Sequence, residues 1–427
     1  MAATLAGVAV LAAGCSGSDP AAVAPPVATS SPAPATPDAL ARESALSELL
    51  RARAAAVLAR DRAGFTATMD DPRSGFGLRQ LELFDSLARL PLGSFAYGTP
   101  EPAPSLAAER AAQVGPDAWV ARVPGRYSLA GYDAGQRSFE THLTVVRRGN
   151  AWRLADDSDG GTQPQLWDLP HLTVVRSKTT LVVGSGPASR LREYLRLGDE
   201  AVARVSRVWT RPWGSRVVLV VPATAEQMSR QLGQDAGSVE QVAAVTDGSL
   251  GADGRAGADR VVVNPEALAR LQPVGRRVVI THETTHVAVR ASTTRPVPLW
   301  LSEGMADYVG YSGLGLPRAR VAAELLERVR AGQGPTALPS EGDFDPATTT
   351  IAPSYNAAWL AVSLIADRHG TKGLVRFYTE AATLDSAQDP PGDPAENTEA
   401  AFREVLGTTG SEFTRDWLGY LRALAGP

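Results

Sequence analysis

Cysteine, lysine and histidine are all scarce in this chain. Of 427 residues, one is a cysteine, Cys15, and five are histidines. A single cysteine excludes an intrachain disulfide and any cysteine-based metal site. The lysines are Lys178 and Lys372, so arginine carries nearly all the positive charge. With abundant Ala, Gly and Pro, this bias looks like that of a GC-rich, actinobacterial genome, and it says nothing about mechanism. A formal net charge of -4 gives no electrostatic reason to expect a nucleic-acid partner. No internal repeat stands out. What remains is a chain of ordinary hydrophobicity, long enough for two or three domains with their own cores. Oligomeric state is not legible.

The first residues read "MAATLAGVAVLAAGCSGSDP". The apolar run is too short to span a bilayer as a helix and reads as a targeting segment. It ends in Ala-Ala-Gly-Cys, which resembles the lipobox of bacterial lipoproteins. The resemblance implies cleavage before Cys15, a lipid on that cysteine, and a protein anchored to the outer face of the cell membrane. Residues 16–38 are rich in Pro, Ala and Ser and read as a disordered tether.

From residue 39 the text turns helical, with Leu46, Leu49, Leu50, Ala54 and Leu58 at helical spacing. Alternating runs follow: "SFAYGTP", "AWVARVPGRYSLAGY" and "SFETHLTVVRRGNAWRLADD". A helical start before an antiparallel sheet resembles the nuclear-transport-factor-two-like α+β cone, and residues 39–180 are assigned to such an accessory domain. Residues 181–427 form the second domain, which opens with helices and short strands: "SRLREYLRLGDEAVARVSRVW", "RVVLVVPAT", "AEQMSRQLG", "VAAVTDGSL" and "DRVVVNPEALARL". The acidic, Pro-rich stretch 385–400 reads as an exposed loop. In the last helix Thr409 and Glu412 suit a capping box, and Phe413, Trp417 and Leu421 share one face.

The densest chemistry is "VVITHETTHVAV", residues 278–289. Residues four apart project from the same side of a helix, so His282 and His286 can grip one ion. Glu283 stands beside the first histidine, where a carboxylate reaches an attacking water. This is the H-E-x-x-H arrangement of zinc hydrolases. The other faces of the helix are apolar through Val279, Ile280, Val287 and Ala288. Imidazoles and a carboxylate buried on such a helix need polar satisfaction, and a metal supplies it. No histidine lies between Val287 and Pro298, so the metzincin spacing is absent. His142, His171 and His369 sit in unrelated settings.

Further on, "PLWLSEGMADYVGY" places Glu303 seventeen positions after His286 and Asp307 four after Glu303. Here the chain resembles the gluzincin metallopeptidases, and "WLSEGMADY" is similar to text of the bacterial peptidase MA-like members. The resemblance covers roughly residues 260–375. It implies a zincin-like catalytic domain, one catalytic Zn2+ held by His282, His286 and Glu303, and Glu283 as the base. Asp307 matches a carboxylate that orients the first histidine, a role the chemistry of liganding imidazoles supports. Tyr355, at the start of "APSYNAAWLAVSLIADRHG", is the candidate donor to the developing oxyanion, with Tyr308 and Tyr311 behind it. The resemblance also implies an edge strand that pairs with extended peptide. "DRVVVNP", residues 259–265, fits that place in the order; its Asn264 either touches substrate or starts the next turn, and the turn is favoured. The Gly-x-Met-x-Asn-like text of aminopeptidases is missing.

The expected activity is zinc-dependent hydrolysis of a peptide or protein outside the membrane. Alternatives are a peptidase-like binding lipoprotein with little chemistry and an amide substrate other than peptide, such as a cell-wall amide.

Overall fold

A computed structural model describes residues 37–103, 105–115, 117–345, 351–383 and 393–426. Cys15, its lipobox-like text and most of the Pro/Ala/Ser segment lie outside the described residues. The described residues are 52% helical and 17% strand, a mixed α and β content consistent with α+β. It divides into two compact units, one within Ser16–Val174 and the other within Val175–Pro427, where the sequence placed the boundary at residue 180.

The first unit opens with α1 (Pro37–Ala59), α2 (Arg62–Thr66) and α3 (Gly75–Arg89). Asp61 and Ser74 cap the second and third helices by accepting hydrogen bonds from the backbone N–H of Gly64 and Gly77. α1 buries Leu46, Leu50, Ala54 and Val57, whereas Leu58 is 47% exposed. The spacing 46, 50, 54, 57 keeps to one side of the helix; Leu58 lies a further 100° round, and the expectation that it shares that face is corrected. Strands β1 (Leu92–Tyr97), β2 (Glu101–Pro102), β3 (Trp119–Leu129), β4 (Arg137–Arg148) and β5 (Ala151–Asp156) follow, with α4 (Ala108–Val114) between β2 and β3. They form one antiparallel sheet in the order β1-β3-β4-β5, with β2 on β3. Gly149, at φ 61°, makes the turn between β4 and β5. Rings of Phe95, Tyr127, Phe139 and Trp167 pack together with centroid separations from 5.0 to 6.3 Å.

The second unit is built on a five-stranded sheet of β6 (Leu172–Arg176), β7 (Thr180–Ser185), β8 (Val217–Val221), β9 (Ala244–Asp247) and β10 (Arg260–Val263). Its order is β6-β7-β8-β10-β9. β7, β8 and β10 run parallel, and β9 is an antiparallel edge strand. The expectation that "DRVVVNP" supplies the edge is therefore corrected: β10 is interior, flanked by β8 and β9. An apolar run such as Val261–Val263 suits a strand covered on both faces, with neighbours on both sides.

Helices α5 (Ala188–Val208), α6 (Ala225–Leu232), α7 (Pro265–Arg270), α8 (Pro273–Arg290) and α9 (Leu299–Tyr311) come next, then α10 (Arg318–Val321), α11 (Ala323–Arg330), α12 (Ala352–Ala381), α13 (Pro394–Leu406) and α14 (Gly410–Ala425). α8 is buried along its whole length from Val278 to Val289. Its threonines Thr281, Thr284 and Thr285 donate to carbonyls one turn back, at 2.7–2.8 Å, so that their hydroxyls are satisfied within the helix. α12 is interrupted at Gly370, where φ is 71°. The exposed loop expected over 385–400 ends early: Asp393 caps α13 and Pro394 occupies its first turn, a favoured helix start. The stretch before it, 384–392, lies outside the described residues. α14 carries the expected Thr409–Glu412 capping box and buries Phe413, Trp417 and Leu421. No described helix is long and apolar enough to cross a membrane.

Candidate metal centre

α8 presents His282 and His286 one turn apart, and α9 brings Glu303 against them. The helices that make this approach are held by small residues. A Cβ at Gly304, next to Glu303, would stand 2.5 Å from the carbonyl oxygen of Ala358 on α12. Only glycine lets α9 lie this close to α12 at that position. Ala357, Ala358 and Ala361 are all buried in α12.

Ligand atoms of three side chains converge, with both oxygens of Glu303 turned to the imidazoles. His282 Nε2 lies 3.1 Å from His286 Nε2 and 3.2 Å from Glu303 Oε2. His286 Nε2 lies 3.6 Å from Glu303 Oε1. Among the described residues this is the group of His, Cys, Asp or Glu side chains able to hold a metal, and all three are buried. A tetrahedral ion with ligands at about 2.0–2.1 Å sets those ligands about 3.3–3.4 Å apart. The observed separations bracket that value. The donor set, two imidazole nitrogens and a carboxylate oxygen, suits zinc and other borderline first-row ions. His142, His171 and His369 are not among these ligands; His142 lies on β4 of the other unit, and His171 and His369 are exposed.

Asp307 stands behind the first ligand. Its Oδ1 is 2.9 Å from His282 Nδ1. With the proton on Nδ1, the ring donates to Asp307 and turns the Nε2 lone pair toward the other ligands. Burial alone would lower the pKa of His282, but the Asp307 and Glu303 carboxylates outweigh it and hold it well above the ordinary imidazole value. Glu303 is pushed up by burial and drawn down further by the two imidazoles, to about 2. Burial raises the pKa of Asp307 and of Glu283. Among the described residues no arginine or lysine pairs with any of these carboxylates; the imidazoles pair with Glu303 and Asp307. The pocket thus gathers three acids with no arginine or lysine paired to them, and its His282, His286 and Glu303 could hold a metal ion.

Glu283 is buried beside the ligands. Its Oε2 accepts a 2.7 Å hydrogen bond from Thr246 Oγ1, and its Oε1 is buried without a hydrogen-bond partner. Thr246 lies on the edge strand β9, thirty-seven residues earlier in the chain. No local pattern in the sequence marks it, because the contact depends on the register of β9 against β10 and the packing of α8 beneath them. Arg290, at the C-terminal end of α8, fastens the same region by donating to Asp259 Oδ2 at 2.8 Å and to Gly248 O at 2.8 Å.

The tyrosines separate. Tyr355 is 4% exposed, with its ring centroid 6.4 Å from that of His282 and 5.2 Å from that of Phe344. Tyr308 hydroxyl lies 3.3 Å from Thr371 Oγ1. Tyr311 packs on Trp359 at 4.9 Å, and burial pushes its pKa up. Asn264 is fully buried in a turn: its Oδ1 accepts from Glu266 and Ala267 N–H at the start of α7, and its Nδ2 donates to Val239 O and Glu240 O. The chain matches no model of a known protein family and no curated protein.

Proposed function

We propose that the second unit is a zinc-dependent hydrolase of peptide bonds, of the gluzincin kind. The observation that carries this reading is the spacing of His282 Nε2, His286 Nε2 and Glu303 oxygens, which fits a tetrahedral ion, beside a buried carboxylate oxygen of Glu283 that has no partner. When bound, zinc supplies Lewis acidity at a carbonyl and lowers the pKa of its water.

The protein's own groups then have distinct tasks. His282, His286 and Glu303 hold the ion, and Asp307 fixes the tautomer of His282. Glu283 Oε1 takes a proton from the attacking water as the oxygen bonds to the carbonyl carbon. The same carboxyl returns the proton to the nitrogen as the C–N bond breaks. Tyr355 is the candidate donor to the oxyanion, supported by its place beside His282. In the same reading the second unit is zincin-like and the first is a nuclear-transport-factor-two-like cone. The Ala-Ala-Gly-Cys text and the Pro/Ala/Ser segment after it support an extracytoplasmic protein anchored by lipid at Cys15.

The test is Glu283→Gln. The variant is expected to keep about one zinc per chain and to lose hydrolysis of a broad peptide library by about 100-fold or more. Undiminished cleavage removes Glu283 as the base. A wild-type protein that holds zinc but cleaves no peptide points instead to a binding protein or to another amide.

A further inference from the structure

We propose that Thr246 is a positioning residue for Glu283, one that decides which carboxylate oxygen meets the attacking water. The inference rests on the hydrolase reading and adds to it a residue outside the H-E-x-x-H helix. Thr246 is 4% exposed, and its hydroxyl lies 2.7 Å from Glu283 Oε2 and 3.0 Å from the main-chain oxygen of the same residue. Both neighbours are acceptors, so the hydroxyl hydrogen must point at Glu283. Of the two carboxylate oxygens, Oε2 is engaged and Oε1 is not.

This asymmetry has a chemical consequence. When water attacks, its O–H bond breaks, its oxygen lone pair bonds to the carbonyl carbon, and the proton must settle on one oxygen of Glu283. The Thr246 hydroxyl donates to Oε2 before and after the transfer: first to a carboxylate oxygen, then to the carbonyl oxygen of the neutral acid. Oε1 therefore receives the proton and later releases it to the leaving nitrogen. The hydrogen bond also stops rotation of the carboxyl group, which would otherwise have to be frozen at the moment of reaction. Because Thr246 belongs to the edge strand β9, whatever orders that strand also orders the base.

The experiment compares Thr246→Val, which keeps the shape and removes the donor, with Thr246→Ser, which keeps the donor. Kinetics, metal content, melting temperature and crystal structures of the metal-free proteins are measured together. Thr246→Val is expected to retain one metal per chain, to lose about 10- to 100-fold in kcat with KM changed less than about threefold, and to show the Glu283 carboxyl turned from its wild-type place. Thr246→Ser is expected to recover most of the kcat and the wild-type orientation. Should valine disturb folding or metal content, Thr246→Ala against Thr246→Ser makes the same comparison. An active wild type with unaltered kcat in the variants lacking the hydroxyl overturns the inference and spares the hydrolase reading. An unmoved carboxyl in those metal-free crystals overturns it whether or not the protein is an enzyme. A wild type without hydrolysis, combined with a displaced carboxyl in Thr246→Val, sinks the hydrolase reading and leaves the positioning role in place.

Discussion

The two units both bury charged side chains, and they settle them differently. In the first, Arg53 is 1% exposed, donates to Thr68 Oγ1 and to Gln80 Oε1, and lies with its guanidinium 3.6 Å from the centroid of the Phe65 ring. Gln80 in turn donates to Asp157. Arg110 spans Asp156 and Asp159, and Asp159 also accepts from Thr144. The terminal nitrogens of Arg53 thus meet neutral oxygens, although its Nε is buried without a partner, and Arg110 meets carboxylates. In the second unit three carboxylates and two imidazoles are packed together, and Glu283 Oε1 and Glu303 Oε2 are buried without hydrogen bonds. In the first, arginines stand among the acids; in the second, no arginine or lysine pairs with the three carboxylates among the described residues.

That contrast can be tested from both sides. The largest effect is expected at Glu303→Gln, which keeps the shape and removes the charge. Metal affinity measured by competition with a chelator should fall by more than about 100-fold, a loss beyond that of an outer partner. Next in size is Arg53→Met in the first unit. It leaves Gln80 and Thr68 short of a donor and is expected to cost about 1–3 kcal/mol in denaturant unfolding, with metal content unchanged. A change of metal content in that variant would break the separation drawn here.

Asp307→Asn should weaken metal binding by about 10- to 100-fold while leaving the melting temperature of the metal-free protein nearly unaltered. The smallest expected effect is in acid. The Arg110 hydrogen bond holds the Asp159 pKa below the ordinary value, against a smaller upward push from burial. Its stabilisation is therefore complete above the unfolded value of 3.8 and is lost as pH falls through the lower folded value. Asp159→Asn should lower stability modestly at neutral pH, with the deficit against wild type shrinking as pH falls below about 4, so that the acid limb of its stability curve is flatter.

What could be read from the sequence was what depends on one helix at a time. The pairing of His282 with His286 needs only the helical repeat, and the facing of Glu303 and Asp307 needs the same repeat in α9. The caps at Thr409 and Asn264 are equally local. The unlocalised remainder depends on tertiary register. "DRVVVNP" and "VAAVTDGSL" both read as strands, yet which lies at the edge is decided by their pairing, and β9 took the place expected of β10. Leu58 fitted the apolar spacing loosely, and Val57 fills the core instead. Thr246 carried no mark at all, since its role follows from a strand crossing over a helix far along the chain.

The central claim is that the charge deficit at α8 and α9 is made up by one zinc ion. X-ray absorption at the zinc edge, on the purified protein, tests it most directly. The expected result is one zinc per chain bound by two imidazole nitrogens and carboxylate oxygen at about 2.0–2.1 Å, with that signal gone in Glu303→Gln. A protein that takes up no zinc, or zinc whose ligands are unchanged in that variant, would contradict the account.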